Sequence, residues 1–310
     1  SDAETCEMQH YLLDILTAID RVCKTHHLNY YLIAGTMLGA VRHKGFVPWD
    51  DDADVALPRE DYDKLIAHAN EWLPPHLELV SGVQNPYYPY AFARIQNKNT
   101  TYILRRCFNF AGGLPVDVFP LDGMTRNPLA RYIHYRRYDV LIRLMYFAQR
   151  DPYKHGRGLG CFFIKLCHRL FSQSWLHRRL DALQRQYSIE KTGLVADHDN
   201  KPCRGILPRE VYGTPTPVCF CGHALMGVQN PDRYLRYCYG DYMTPPPQLP
   251  PQNFRHLDLT KPTENTRRNI PNTNRGEAPM ANRRGADGKA INHRNKSRRS
   301  PVVRFAIPWI

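Results

Sequence analysis

Residues 30–58 read YYLIAGTMLGAVRHKGFVPWDDDADVALP and carry the most informative pattern in this 310-residue chain. The apolar run at 30–33 ends at Gly35, which predicts a short buried strand followed by a turn. Residues 36–43 predict a short helix that begins at this turn. Residues 52–57 then alternate polar and apolar side chains, as a strand with one face toward a site does.

Four carboxylates crowd the start of the alternating segment, namely Asp50, Asp51, Asp52 and Asp54. Side chains at i and i+2 of a strand share a face, so Asp52 and Asp54 are expected to point the same way. Crowded carboxylates repel one another unless a cation compensates them. Oxygen-only ligands favour a hard ion, which predicts a Mg²⁺ or Mn²⁺ site. The alternative, a solvated acidic turn, fits less well with Trp49 before the cluster and an apolar strand after it.

A second element is the Gly35–Thr36 turn. Glycine lets the backbone approach a phosphate closely, and a helix start offers free N–H groups to an anion. Arg42 and Lys44 lie between this turn and the acidic segment, and we predict that they contact phosphate. The alternative is that both are solvated surface cations. His43, between these two cations, is a candidate general base, and the alternative is that it is a surface residue.

Residues 34–57, AGTMLGAVRHKGFVPWDDDADVAL, closely resemble the signature of the LicD family. This family includes bacterial phosphocholine transferases and is related to fukutin and fukutin-related protein. Three further stretches resemble the family, and these are LPVDVFPLDG (114–123), YGDYMTPPP (239–247) and HLDL (256–259). The resemblance covers residues 8–262, and the segment that follows departs from it.

The resemblance implies an α+β fold, with a nucleotidyltransferase-like mixed sheet flanked by helices. The implied catalytic domain spans residues 4–262, with a helical insertion at about 128–188 and an irregular C-terminal region. Carried over by position, Asp52 and Asp54 are the metal-binding pair. Asp117 is then the third catalytic carboxylate, either as a base or as a metal ligand.

The resemblance also implies a function. It implies metal-dependent transfer of a phosphorylated alcohol, with phosphocholine the expected cargo, from a CDP-linked donor such as CDP-choline. The expected acceptor is a sugar hydroxyl of a cell-surface glycan such as lipopolysaccharide, teichoic acid or capsule. In-line attack on the distal phosphorus would release CMP.

Three other functions remain open at this point. A true nucleotidyltransferase would use the same carboxylates and release pyrophosphate. A nucleic-acid-binding protein would account for the formal net charge of +13 and the Arg-rich C-terminal segment, but not for the acidic cluster. The third is a catalytically inactive scaffold, which the intact aspartates argue against.

Periodicity predicts the remaining elements. The predicted helices are residues 4–27, 59–72, 129–149 and 159–186, and the predicted further strands are 90–96 and 114–119. From residue 193 onward we expect irregular structure with short strands. Residues 263–310 have few large apolar side chains, which predicts a disordered basic tail.

The resemblance implies a bacterial cytoplasmic enzyme that acts near the inner face of the membrane. The sequence shows neither a spanning apolar run nor a signal peptide. The basic stretches 131–137 and 162–179 are candidates for peripheral contact with the inner membrane, and the alternative is that their cations are solvated. Trp49, Tyr87, Tyr88 and Tyr90 are candidates for a choline cage, with ordinary packing as the favoured alternative for each. Tyr239, Asp241 and Tyr242 are candidates for the acceptor side. The nine cysteines are expected to be reduced thiols. A zinc site of Cys203, Cys219, Cys221 and His223 is the less favoured alternative.

Overall fold

The computed structural model describes residues 2–102, 110–150, 159–200, 202–245 and 257–263. The helices in these ranges are α1 Asp2–Thr25, α2 Ala34–His43, α3 Arg59–Trp72, α4 Pro128–Gln149, α5 Leu159–Leu170, α6 Gln173–Gln184, α7 Ile189–Thr192, α8 Pro202–Gly205, α9 Arg209–Tyr212 and α10 Pro231–Tyr239. The strands are β1 Tyr31–Leu32, β2 Asp54–Pro58, β3 Leu77–Val80, β4 Ala93–Tyr102, β5 Gly112–Gly123, β6 Leu194–Ala196, β7 Ile206–Pro208, β8 Thr216–Phe220, β9 His223–Gly227 and β10 Leu257–Asp258.

The strands form one mixed sheet in the order β10-β4-β5-β2-β1-β9-β8. Strand β2 runs parallel to β5, and β1 runs antiparallel to β2 and parallel to β9. Strand β3 pairs with β4, while β6 and β7 extend the sheet from the end of β5. This mixed sheet with flanking helices confirms the predicted α+β class.

The core lies between the sheet and the helices that flank it. Helix α1 buries Leu12, Ile15 and Ile19, whose spacing places them on one helical face. Strand β2 buries three successive residues, 55–57, because neighbouring strands and helices cover both of its faces. It is therefore a central strand, and the half-exposed strand that its alternation predicts is wrong.

The helical region after β5 differs from the prediction at one point. The predicted single helix 159–186 is two helices, α5 and α6. Ser172 begins α6 by accepting a hydrogen bond on Oγ from the backbone N–H of Trp175 at 3.2 Å. A serine in extended backbone is a favoured helix N-cap, and it separates the two helices here. Helices α4 and α6 share a small core of Tyr138, Met145, Leu176, Leu180 and Leu183.

The region after residue 193 contains the predicted short strands and also helices that periodicity did not predict. Strands β8 and β9 form a hairpin that turns at Cys221 and Gly222, and α10 follows it. Most of the predicted tail, residues 264–310, lies outside the described residues. In the part of the chain that the structure describes, no helix is both long enough and apolar enough to span a membrane.

Candidate active site

A cleft of about 370 Å³ opens beside the first residue of β2. Five aspartates line this aspartate cleft, together with a few other residues: Asp52, Asp54, Asp117, Asp197 and Asp199, with Ile33, Ala34, Phe119, Asn200 and Arg204. The parallel register of β2 and β5 sets Asp54 beside Asp117. The structure thus brings together the three aspartates that the sequence analysis singled out.

Backbone hydrogen bonds hold the acidic segment in place. The N–H of Asp54 donates to Thr36 Oγ1 at 2.8 Å, and the N–H of Asp117 donates to the carbonyl of Ala53 at 2.9 Å. Asp54 is therefore fixed to the start of α2 on one side and to β5 on the other. Asp52 lies just before β2, in the loop that leads into the strand, yet it lines the same cleft as Asp54.

Gly35 has a role that the sequence did not predict. A Cβ built on Gly35 would lie 2.6 Å from Oδ2 of Asp50, so the missing side chain makes room for that carboxylate. The preceding residue, Ala34, adopts a positive φ of 47°, which is unusual for a residue with a Cβ, and its N–H donates to the hydroxyl of Tyr234 at 3.0 Å. The chain entering α2 is thus built closely around Asp50.

Three carboxylates at the start of the acidic segment are close enough to bind one cation. Oxygens of Asp50, Asp51 and Asp52 lie within 4.8 Å of one another. Desolvation raises the pKa of Asp50 to about 6. Desolvation and then the like charges of Asp50 and Asp117 raise the pKa of Asp52 well above its usual range, even though the mouth of the cleft leaves the Asp52 side chain exposed. Desolvation followed by the charge of Asp52 has the same effect on the pKa of Asp54.

Asp117 differs from its neighbours because a buried arginine compensates it. Nε and Nη2 of Arg94 donate to the two carboxylate oxygens of Asp117 at 2.5 and 3.0 Å. The guanidinium also lies 4.2 Å from the ring centroid of Tyr90. Burial raises the pKa of Asp117, and Arg94 opposes that rise. Arg94 therefore fixes the orientation of Asp117 and favours its ionised form.

Asp197 and Asp199 complete the cleft, and the sequence analysis missed them. Oδ2 of Asp197 accepts from Nδ2 of Asn200 at 2.6 Å, and Oδ1 accepts from the N–H of Asp199 at 3.1 Å. Desolvation raises the pKa of the buried Asp197 to about 6. Desolvation and then the charge of Asp197 raise the pKa of Asp199 to about 7, even though the Asp199 side chain is exposed at the surface. The signal was available, because β6 ends in the sequence LVA followed directly by Asp-His-Asp, a second Asp-x-Asp after a short apolar strand.

The residues predicted to contact phosphate occupy opposite ends of α2. Gly35 and Thr36 lie at its start, next to the acidic segment, whereas Arg42 and Lys44 lie at its end and do not line the aspartate cleft. Nη1 of Arg42 donates to the carbonyl of Tyr242 at 2.8 Å. Among the described residues that line the cleft, the cation is Arg204, on the short helix α8.

The four aromatic residues proposed for a choline cage do not line the aspartate cleft, although the ring of Tyr90 contacts Arg94 beside Asp117. Tyr88 is fully buried in a cluster with Val80 and Phe110, and the ring of Trp49 packs 5.8 Å from the guanidinium of Arg42. Within the described ranges, the aromatic ring that lines the cleft is Phe119. Their positions therefore give no support to a cage at the aspartate cleft.

One of the three residues predicted on the acceptor side interacts electrostatically with an aspartate of the cleft. Burial, followed by the charge of Asp54, raises the pKa of the half-exposed Tyr239. Asp241 accepts a hydrogen bond from Thr244 at 2.7 Å, and the hydroxyl of Tyr242 donates to Asp232 at 3.0 Å. Tyr239 is thus the member of this group whose surroundings connect it to the aspartates.

The alternative zinc site finds no geometric support in the described residues. Cys203, Cys219 and Cys221 are exposed free thiols. Within the described ranges, the group of three potential metal ligands that converges is the one formed by Asp50, Asp51 and Asp52.

The fold and the cleft together define an α+β protein with an acidic site lined by carboxylate oxygens. Comparison with known proteins places part of this chain in a family. Residues 27–123, which include β1, α2, β2 and β5, match the family described as LicD/FKTN/FKRP, nucleotidyltransferase domain. The sequence resemblance to the LicD family is thereby confirmed.

Individual relatives extend the match. The chain is 26% identical over 249 residues to the lipopolysaccharide cholinephosphotransferase LicD of Haemophilus influenzae, covering 78% of this chain and 92% of that protein. It is also 47% identical over 36 residues to an uncharacterized protein of Rickettsia prowazekii, covering 12% of this chain and 14% of that protein. The similarity to the Haemophilus protein reaches well beyond the 97 residues of the family domain.

Proposed function

We propose that this protein transfers a phosphorylated alcohol, phosphocholine in the first instance, from a CDP-linked donor to a sugar hydroxyl of a lipopolysaccharide. The observation that supports the proposal is that Asp52, Asp54 and Asp117 line a single cleft. All three lie in the segment that matches the family domain. The similarity to a lipopolysaccharide cholinephosphotransferase along most of that enzyme's length supports the choice of cargo and acceptor.

The residues of the cleft fit a hard divalent cation. Five carboxylates face a cleft that, among its described lining residues, has Arg204 as its cation. Burial, followed by repulsion from neighbouring aspartates, raises the pKa values of Asp52 and Asp54. The ligand set would be Asp52 and Asp54, completed either by Asp50, whose oxygens converge with those of Asp52, or by Asp117, which lines the same cleft. Oxygen ligands suit Mg²⁺ or Mn²⁺. A bound divalent ion would supply neutralisation of the charge on the donor's diphosphate.

The protein's own groups would divide the remaining work. Arg204 is exposed on the cleft wall, where a guanidinium can bind phosphate oxygens in a bidentate manner. Because Arg94 engages both oxygens of Asp117, Asp117 suits a ligand with a fixed orientation better than a general base. Asp199 lines the cleft with an exposed side chain, and its pKa is raised to about 7, near neutral pH. It therefore suits the general base that accepts the proton of the sugar hydroxyl.

The test is a transfer assay with CDP-choline, Mg²⁺ and a lipopolysaccharide acceptor, in which CMP and the choline-bearing product are both measured. Asp54→Asn should abolish turnover while the protein stays folded. The matched control is Asp14→Asn, because Asp14 is a half-exposed aspartate on α1, ion-paired to His76 outside the cleft. Full activity of Asp54→Asn would overturn the proposal.

A true nucleotidyltransferase is the second candidate, favoured by the description of the matching family domain. It would place the same aspartates around a nucleoside triphosphate and release pyrophosphate. Incubation with CTP and a phosphorylated alcohol, with pyrophosphate as the readout, distinguishes the two activities. Pyrophosphate without CMP would replace the first proposal with the second.

A further inference from the structure

An exposed apolar surface lies on the helical region, outside the family domain. Helices α4 and α5 leave eight large apolar side chains exposed, and we call this set the α4–α5 face: Leu129, Tyr132, Ile133, Val140, Phe162, Phe163, Leu166 and Leu170. Val140 and Phe162 are 53% and 66% exposed. A contiguous apolar surface of this kind marks an interaction site more often than a solvated face.

Helical spacing and one ring contact make the surface continuous. Ile133, Val140 and Phe147 recur every seven residues, so they follow one side of α4. The ring of Phe147 meets the ring of Phe163 edge to face, with 5.1 Å between centroids. This contact joins the apolar side of α4 to α5, where Phe163 and Leu170 are again seven residues apart.

Cations accompany the apolar side chains. Helix α4 carries four arginines and one aspartate, and α5 carries Lys165 and Arg169 with no acidic residue. The groove between α4 and α6 has a volume of about 850 Å³ and includes Arg136, Arg137 and Arg179 in its lining, next to Ile133 and Val140. The surface thus pairs exposed apolar groups with positive charge, the combination that binds an anionic interface.

The positive charge of the α4–α5 face distinguishes among the partners that could cover it. The Arg-rich segment 264–310 of the same chain has the same sign as this face, and so does a second copy of the face, so both are repelled. An anionic bilayer has the opposite sign, and its interior accepts apolar side chains without a shaped pocket. We propose that the α4–α5 face docks the protein on an anionic lipid bilayer. This inference rests on residues outside the aspartate cleft and does not depend on the proposed reaction.

Cosedimentation of the full chain with lipid vesicles tests the docking. The probes are vesicles of phosphatidylcholine alone and vesicles of phosphatidylcholine mixed with phosphatidylglycerol. The protein should bind the anionic vesicles and not the neutral ones. Arg136→Gln/Arg137→Gln should weaken binding about fivefold for each arginine removed. The charge-matched control is Arg209→Gln/Arg233→Gln, because both arginines are exposed outside the face.

The decisive variant leaves the net charge unchanged. Ile133→Gln/Val140→Gln/Phe162→Gln/Leu166→Gln should lose vesicle binding at least tenfold, because exposed apolar groups supply the insertion. Val83→Gln/Met243→Gln, at two exposed apolar residues outside the face, should bind as the parent does. Thermal unfolding verifies that each variant is folded.

Three outcomes would overturn the docking. The first is that the fourfold glutamine variant binds vesicles like the parent, which would assign binding to general positive charge such as that of residues 264–310. The second is that the parent binds neither kind of vesicle. The third is that the parent is a dimer that the glutamine variant converts to monomer, because a second copy then covers the face. Retained CMP release in the glutamine variant separates a failure of docking from a failure of the proposed reaction.

Discussion

Arg94 is the cation that compensates the charge of Asp117. Its guanidinium is buried, donates twice to Asp117 and lies against the ring of Tyr90. Removing one partner of a buried ion pair leaves an uncompensated charge, which costs about 3–5 kcal/mol. We therefore expect Arg94→Met to lower the free energy of unfolding by that amount, as measured by urea denaturation.

A double variant distinguishes this cause from a simple loss of packing. In Arg94→Met/Asp117→Asn the orphaned charge is absent, so much of the lost stability should return even though the arginine is still missing. The parent protein, the two single variants Arg94→Met and Asp117→Asn, and the double variant together form a double-mutant cycle. Strictly additive free energies of unfolding would show that the two side chains do not interact in the way their geometry indicates.

At the residue scale, the sequence predicted the carboxylates that lie near one another along the chain. Asp52 and Asp54 stand out because alternate positions of an extended segment share a face. Asp117 was found through the family resemblance rather than through spacing. Asp197 and Asp199 come from a distant segment, and only the pairing of β6 with β5 brings them to the cleft. The local pattern shows a second Asp-x-Asp after a short apolar strand, but it does not show that this segment meets Asp52 and Asp54 in space.

Helix α2 is the element that positions the acidic segment, and its Gly39 packs closely against the backbone of the loop 45–47. A Cβ on Gly39 would lie 2.3 Å from the carbonyl oxygen of Gly45 and 3.0 Å from the backbone nitrogen of Val47. Helix propensity alone would make alanine more stable than glycine by about 1 kcal/mol. A backbone clash outweighs that gain, because overpacking costs about 1–3 kcal/mol.

We expect Gly39→Ala to destabilise the protein by about 1–3 kcal/mol in urea denaturation. The loop that would have to move continues directly into Asp50, so turnover should fall as well. Ala40→Gly, at the next position of the same helix, measures the effect of helix propensity together with the loss of a buried methyl group. A stabilised Gly39→Ala protein would mean that the loop yields without cost and that the contact has no structural role.

At the element scale, elements with strong periodicity and clear ends were predicted best. Helix α3 has the predicted bounds, since Pro58 precedes it and its apolar spacing is regular. The division between α5 and α6 was missed because Ser172 lies between two segments of similar periodicity. Strand β3 was also missed, because four residues offer too short a pattern and its place depends on pairing with β4.

Burial raises the pKa of aspartates in and beside the aspartate cleft, so the stability of the whole molecule should depend on pH. The ordinary aspartate pKa is 3.8, but in the folded protein it rises to about 6 for Asp50 and Asp197 and to about 7 for Asp199. Between these values the folded chain binds protons that the unfolded chain has lost. Stability of the metal-free protein should therefore fall as pH rises from about 4 to about 7.

Bound Mg²⁺ should reverse this trend, because a cation replaces the protons that neutralise the cleft at low pH. We expect saturating Mg²⁺ to raise Tm very little near about pH 5 and most near about pH 8, since ligands must be ionised to bind. Thermal unfolding with Mg²⁺ and with EDTA at both pH values measures the difference. Asp54→Asn should lose the Mg²⁺-dependent increase in Tm at the higher pH, while Asp14→Asn should retain it. An equal increase at both pH values, or one that survives in Asp54→Asn, would place the ion outside the aspartate cleft.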